Sequence, residues 1–465
     1  MKARSLEKNK LVEFLNDNST NVALATGRSG MGKSQLLKNL VKEYQGVYFA
    51  AYPTTDIMEL KLLSNAIYGT TETSEEDYKD IATLCEKVKE IADPSKPYLF
   101  IVDNYPEFVK ASNSYDKEFA DAVRDIFGGT NVKVILCSDS FINMHKICLD
   151  RVSPWQKLNP VEIKFDKLSF LETIDYIDEA NDGDSVFLYG ITGGMPSLLD
   201  KLANEKVDRN EAVKRCFLER VDDANPETAM KNDLREPAYY NRMMQVLSSG
   251  VQRVNEISEI VGKPKDIVVP YLKTLINLSL VKKETPITEK NNRRKTRYSL
   301  VNSADKFWYK YIVPALPVIE TTGEEFVLPD TEDFERSVFI DICKEYLMTK
   351  SQGDDLPFTL EEVGNWWENN DEEHTTVGFD AVGLGKNGDE DASVFCRCYY
   401  SDKQIEIQDL KALIELTKKV RRRGDNFYMI FSAAGFSEHA LTVGSAIKNI
   451  ILVDLNTIIK EARAN

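Results

Sequence analysis

One short stretch near the amino terminus restricts the fold of this chain more than any other. Asn21-Val22-Ala23-Leu24-Ala25-Thr26 reads as a buried strand, Gly27-Arg28-Ser29-Gly30-Met31-Gly32-Lys33-Ser34 as a glycine-rich loop, and Gln35 to Val41 as the start of a helix. A loop of eight residues ending in Lys-Ser, with a strand before it and a helix after it, is the P-loop pattern in the context it requires. The residue types follow from the task. Gly27, Gly30 and Gly32 let the backbone curl until its N–H groups face inward, where they can bind phosphate oxygens. The helix N-terminus adds its dipole to that anion hole. Lys33 can reach the β- and γ-phosphates, and the Ser34 hydroxyl can ligate Mg²⁺. The expected ligands are ATP and Mg²⁺, and the expected nucleotide contacts are Gly27, Arg28, Ser29, Gly30, Met31, Gly32, Lys33, Ser34 and Gln35.

A loop of this kind works with a second strand that ends in an acid. Pro97-Tyr98-Leu99-Phe100-Ile101-Val102-Asp103 is a continuous apolar run, as expected of a strand covered on both faces, and Asp103 is its acid. Ser34 and Asp103 are therefore the expected Mg²⁺ pair. Asn104 follows, where many hydrolysing ATPases place Glu; an amide can orient water but cannot accept its proton. Glu107 is close but displaced by three residues. Slow or conditional turnover is the expectation. A third strand, Val132 to Cys137, ends in Ser138-Asp139-Ser140, where polar residues either sense the γ-phosphate or simply face solvent. The candidate catalytic set is Lys33, Asp103, Asn104 and Ser138. Gly193-Gly194-Met195-Pro196 separates two helical patterns, either as a plain helix-breaking turn or as a close-approach loop in which Gly194 and Pro196 touch the nucleotide.

Composition removes several other classes. A length of 465 residues predicts about three domains, long enough to need no disulfide or metal staple. No apolar run approaches the roughly 18 residues of a membrane span, and the first ten residues are too polar for a signal peptide, so a cytoplasmic protein without a membrane partner is expected. Seven cysteines form no framework. Cys396 and Cys398 lack a second ligand pair, and His145, His374 and His439 are too few to complete a zinc site. The net charge of −16 argues against a general nucleic-acid binder, but its distribution is uneven. Arg235 to Val313 holds 15 Lys and Arg against 7 Asp and Glu, a net of +8, which leaves −24 for the remainder.

That basic segment follows an acidic linker around Asp222 to Pro226. Tyr240 to Leu247, Val254 to Val261 and Lys265 to Leu278 have helical spacing, the third burying Val268, Leu272, Leu275 and Ile276. Leu280 to Glu284 and Arg297 to Leu300 read as two strands joined by a polar loop. Three helices and a basic hairpin describe a winged helix-turn-helix. Two uses stay open. Arg293, Arg294, Lys295 and Arg297 can neutralise DNA phosphates, with little base reading since the third helix has no Asn or Gln cluster. Alternatively the module packs against protein.

These motifs together resemble the archaeal-type ATPases of the AAA+/STAND P-loop class. Gly27 to Ser34, the Asp103 strand, the Ser138 region and Gly193 to Pro196 carry the resemblance, with Arg4 and Glu7 echoing an opening Arg-x-x-Glu motif; Thr285 to Glu289, Arg297 to Leu300 and Asp305 to Tyr311 extend it. It implies a three-layer parallel sheet with the sensor strand between the two Walker strands, then a helical lid. Asn104 departs from the pattern, as does Ser153-Pro154-Trp155, where such proteins carry Arg after Ser-Pro; Arg151 is the substitute at hand. In this class the carboxy-terminal region is of unknown function, with the outline of restriction-endonuclease-like folds. Asp380 matches the first acid of such a site and Glu335 a helix glutamate, but Arg397-Cys398-Tyr399 stands where Glu-x-Lys is needed, so a metal ligand is replaced by a cation. Arg421-Arg422-Arg423 is a basic turn at the end of a helix.

The expectation is an α/β chain of four parts: a P-loop ATPase core (1–165), a helical lid (166–230), a winged helix-turn-helix (235–313) and a degenerate nuclease-like α/β domain (314–465). It would bind ATP as a slow ATPase or a nucleotide switch. The alternatives are a DNA-binding regulator with ATP as a structural ligand and an active metal nuclease. A nucleotide-dependent oligomer or a protein partner fits the resemblance.

Overall fold

The computed structural model describes residues 4–464 except 178, 204, 220–233, 235, 291, 324, 354, 371–374 and 421–423. The acidic linker around Asp222, His374 and the turn Arg421-Arg422-Arg423 lie outside the described residues. The chain divides into two compact units. The first runs to Lys167 and takes in Met195–Ser197; the second comprises Leu168–Gly194, the stretch from Leu198, and the chain from Glu236 onward.

The first unit is a sheet of five parallel strands, β1 (Val22–Thr26), β2 (Gln45–Ala50), β3 (Tyr98–Asp103), β4 (Val132–Ser138) and β5 (Val161–Lys164), in the order β2-β3-β4-β1-β5. Parallel neighbours need crossovers. Helices α2 (Lys33–Glu43), α3 (Asp56–Tyr68), α4 (Ile81–Ile91), α5 (Tyr105–Ala111) and α6 (Tyr115–Phe127) lie within them, and α1 (Ser5–Asn16) precedes β1. The strand that ends at Ser138 lies between the strands that end at Thr26 and Asp103, the order implied by the resemblance. Every residue of β1, β3 and β4 is buried, which explains their unbroken apolar runs. Lys133 is the exception in composition, at 2% exposure. Its ammonium donates to the carbonyls of Thr20 (2.9 Å) and Asp17, so the buried charge is solvated by backbone. Helix α6 buries Phe119, Ala120, Val123 and Phe127, which recur at helical spacing. Phe119 and Phe127 meet Phe100 of β3 edge-on at 5.6 and 6.2 Å.

In the second unit the basic segment forms helices Pro237–Ser248, Val254–Val261 and Lys265–Asn277, then the antiparallel pair β6 (Val281–Glu284) and β7 (Arg297–Leu300). Next come helix Glu332–Gln352 and a mixed sheet of β8 (Thr359–Asn370), β9 (Thr375–Asn387), β10 (Glu390–Tyr399), β11 (Asp425–Ser432) and β12 (Ile450–Asp454), ordered β12-β11-β10-β9-β8. Strands β8, β9 and β10 are antiparallel, while β10, β11 and β12 are parallel. Most of the segment expected as lid, and the segments expected as winged helix and nuclease-like domain, lie in this one unit. Phe307 supplies the reason: its ring meets Phe187 at 6.1 Å, Phe217 at 5.5 Å and Phe334 at 5.2 Å, joining all three stretches in one aromatic core.

Candidate functional site

The glycine-rich loop leaves β1 and enters α2 through two left-handed residues, Gly30 (φ 81°) and Gly32 (φ 77°), a conformation that strains any side chain. Lys33 opens α2 at 5% exposure, and its ammonium donates to the carbonyls of Gly27 (2.5 Å) and Arg28 (3.0 Å). The lysine is thus held inside the curl of its own loop. Ser34 donates its hydroxyl to Asp103 Oδ2 at 2.6 Å. The two residues expected to share Mg²⁺ are therefore in contact. Tyr48 of β2 donates to the same oxygen, and the Asn104 amide donates to Oδ1 at 2.9 Å. Burial pushes the Asp103 carboxyl up, but hydrogen bonds from Ser34, Tyr48, the Cys137 thiol and the Asn104 amide outweigh it and hold the group below the ordinary carboxylate value. An ionised acid in contact with a hydroxyl fits Mg²⁺, and an ammonium inside the curl of the loop fits a triphosphate.

Residues from elsewhere complete the loop's surroundings. The Ser197 amide donates to the Gly30 carbonyl at 3.1 Å, and a Cβ on Gly30 would lie 2.5 Å from Ser197 Oγ. A Cβ on Gly32 would lie 3.7 Å from the Pro196 ring. Ser197 Oγ is buried without a hydrogen-bond partner among the described residues, an orphan polar atom beside the loop. Pro196 is accordingly at the loop, whereas Gly194 serves its own neighbourhood. Its carbonyl accepts from the Leu168 amide at 2.8 Å, and a Cβ there would lie 2.1 Å from the Leu168 carbonyl oxygen. Arg28 and Ser29 are partly exposed; Gln35 is exposed and donates to Asn39 at 3.2 Å. Met31 is buried under Arg4, whose guanidinium lies 3.9 Å from the Met31 sulfur and pairs with Glu7 at 2.5 Å.

Ser138 ends β4 opposite Thr26 of β1, but its hydroxyl is engaged locally, accepting from the Ser140 amide at 3.0 Å. Asn104 adopts a left-handed conformation (φ 56°) with an exposed side chain. Glu107 pairs with Lys110 at 2.6 Å. Trp155 is fully buried and donates its indole N–H to Asp116 at 2.7 Å, while Arg151 is exposed. Two further buried or half-buried polar residues of the first unit have no signature in the sequence. Tyr48 is one. The other is Glu59 of α3, fully buried, with one carboxylate oxygen unpartnered among the described residues and the other accepting from the Tyr52 amide at 3.4 Å. Burial, with a contribution from the Glu107 charge, pushes its carboxyl up to about 7.

In the second unit, Arg293 and Arg294 are exposed beside the hairpin. Lys295 is paired with Glu289 at 2.6 Å, and Arg297 lies over the Trp367 ring at 4.4 Å, so both are held by protein contacts. Ile287 is buried in a core that includes Trp366 and Phe379 of the mixed sheet. Glu335 accepts two hydrogen bonds from Arg209 (2.9 and 3.2 Å) and others from Thr331 and Tyr400 at 2.6 Å, which consumes its capacity to bind metal. Asp380 accepts from the Cys398 amide at 2.9 Å with Arg397 3.9 Å away. Among the described residues no group of three or more His, Cys, Asp or Glu could hold a metal ion. Among them, too, no helix is long and apolar enough to cross a membrane.

Residues 308–411 match a family model described as archaeal and bacterial proteins of unknown function, DUF234. An uncharacterized protein of Methanocaldococcus jannaschii, MJECL04, is 24% identical over 443 residues, covering 93% of this chain and 94% of that protein. Among solved structures, the Walker-type ATPase PABY2304 of Pyrococcus abyssi superposes with a TM-score of 0.52 at 15% identity, covering 66% of this chain and 96% of that one. The ORC2 protein of Aeropyrum pernix gives 0.41 at 11% identity, over 69% of this chain and 95% of that one. In fold, the chain is similar to archaeal Walker-type P-loop ATPases, and a DUF234 segment lies in its carboxy-terminal half.

Proposed function

We propose that the first unit binds Mg·ATP in the loop Gly27–Ser34 and that the chain acts as a slow ATPase or nucleotide switch. The observation that carries this reading is the 2.6 Å contact between Ser34 and an ionised Asp103, with the preceding residue, Lys33, buried and its ammonium held inside the loop by the Gly27 and Arg28 carbonyls. Lys33 would exchange the carbonyls of Gly27 and Arg28 for phosphate oxygens; Ser34 and Asp103 would hold the metal. The metal's contribution is to neutralise charge on the phosphate oxygens. Asn104 can orient a water but not deprotonate it, which favours a long-lived bound state over rapid turnover. Met195–Ser197 lies against the loop and is continuous in sequence with stretches of the second unit, which supports a reading in which occupancy alters that unit.

Calorimetry with Mg·ATP tests the binding step: a heat of association with wild type, lost in Lys33→Ala, is expected. The reading fails if wild type gives no heat. Phosphate release above that of Lys33→Ala distinguishes a slow ATPase from a pure switch. Light scattering with a non-hydrolysable analogue would show whether occupancy drives assembly.

The exposed pair Arg293 and Arg294 favours a second reading, in which the three helices and hairpin act as a winged helix that contacts DNA phosphates. Gel-shift affinity should then fall steeply with salt and on changing both arginines to glutamine. Salt-independent or absent binding removes it.

A further inference from the structure

Within the second unit a cleft of about 350 Å³ is bounded by β6 and β7, helix Glu332–Gln352, and strands β8 to β10. Five cations line it, Lys282, Arg297, Lys306, Lys344 and Arg397, against three acids, Glu284, Asp341 and Asp380. Three ion pairs on the wall are long: Lys282–Glu284 at 3.6 Å, Lys344–Asp341 at 3.7 Å and Arg397–Asp380 at 3.9 Å. These distances exceed the roughly 2.7–2.9 Å of a charge-assisted hydrogen bond. Arg297 and Lys306 form no ion pair among the described residues. Lys306 donates to the Ser337 hydroxyl at 2.8 Å, and Arg297 rests on the Trp367 ring.

A concave wall with two cations in excess is costly to maintain without a counter-charge. The chain as a whole is at −16, so this local excess runs against its general balance. Burial lowers the affinity of both Lys306 and Arg297 for their protons, outweighing the opposite pull of Asp341 on Lys306 and of Glu284 on Arg297. A metal cation is the wrong guest here, because ammonium and guanidinium groups flank every acid. Ser303 adds a hydroxyl to the same wall, while Ser299 and Asn365 donate to the Glu284 carboxylate at 3.1 and 3.0 Å.

We propose that this cleft is an anion site that binds a phosphate group, independently of the P-loop. A doubly charged oxyanion matches the excess of two cations on the wall, and the fork of Arg297 with the ammonium of Lys306 supplies donors of two kinds. The phosphate could be free or could belong to a nucleic-acid backbone; both present the same oxygens.

The test uses the full chain carrying Lys33→Ala, which weakens the P-loop as a competing phosphate site. Thermal melts in inorganic phosphate are compared with melts in chloride at equal ionic strength, and fluorescence anisotropy is read with a labelled single-stranded oligonucleotide. Phosphate should raise the melting temperature by mass action, and the rise should disappear in Arg297→Gln/Lys306→Met. Asp341→Asn, which removes an acid from the same wall, should enlarge the rise, so the site remains testable should the double variant not fold. Oligonucleotide binding that phosphate displaces assigns the backbone source; a phosphate rise without oligonucleotide binding assigns the free anion. No rise in the Lys33→Ala chain, or an equal rise in the folded double variant, overturns the proposal.

Discussion

Asp103 shows at the scale of one residue why the site holds together. It is 5% exposed yet favoured as a carboxylate, because four donors reach it. A depressed carboxyl contributes stability above its unfolded value near 3.9, and that contribution is lost as pH falls through the folded value. Tyr48→Phe removes one donor. It should cost about 1–2 kcal/mol at neutral pH and move acid unfolding to higher pH, as urea titrations at pH 7 and pH 4 would record. Glu59 has the opposite sign. Its carboxyl is pushed up to about 7, so the folded state binds a proton that the unfolded state releases from about 4.5 upward. Stability should fall as pH rises from 4.5 to 7, by an amount on the order of a few kcal/mol. Glu59→Gln should flatten that fall and leave the variant the more stable protein at pH 8; a variant with the wild-type pH profile would exclude this role for the carboxyl. Lys33, Ser34 and Asp103 were legible in the sequence because each belongs to a local motif. Tyr48 and Glu59 were not. Tyr48 reaches Asp103 only through the register that sets Tyr48 against Ile101 and Ala50 against Asp103, and no pattern in β2 announces that register.

Among the elements, those with an unbroken rhythm were readable and those with a broken one were not. The P-loop strand, β3 and β4 announce themselves as apolar runs because both faces are covered. The three helices and hairpin of the basic segment fall where periodicity and turn residues place them. Strand β8 has no sequence signal: its pairing with β9 shifts register at Leu360/Glu362 and again at Gly364/Trp366, so alternation is lost twice in twelve residues. The P-loop curl makes its own demand at this scale. Gly30→Ala would place a methyl at φ 81° and 2.5 Å from Ser197 Oγ. The serine can rotate away, but the backbone strain of about 1–2 kcal/mol remains. Calorimetry on Gly30→Ala should therefore show both a lower melting temperature and weakened Mg·ATP binding, and adding Ser197→Gly should recover only part of the stability. Full recovery would mean that the side-chain clash, not the left-handed backbone, fixes glycine here.

At the scale of the whole chain, the second unit depends on contacts between stretches far apart in sequence. Arg209 and Glu335 are 126 residues apart and joined by two hydrogen bonds, with Glu335 at 4% exposure. Arg209→Met would leave that carboxylate with only the hydroxyls of Thr331 and Tyr400. Removing one partner of a buried pair costs about 3–5 kcal/mol, and the partly exposed Arg209 places this case at the lower end, about 3 kcal/mol. Two compact units, each with its own core, should give two calorimetric transitions. Mg·ATP should raise the transition of the unit that holds Lys33 and leave the other in place; Arg209→Met should lower only the other. If both perturbations move a single shared transition, then the two units unfold as one cooperative body, and a nucleotide bound at Lys33 stabilises the contacts of Glu335 as well. That outcome would make the chain a better switch than two independent units, because binding energy at the loop would then be felt across the entire polypeptide.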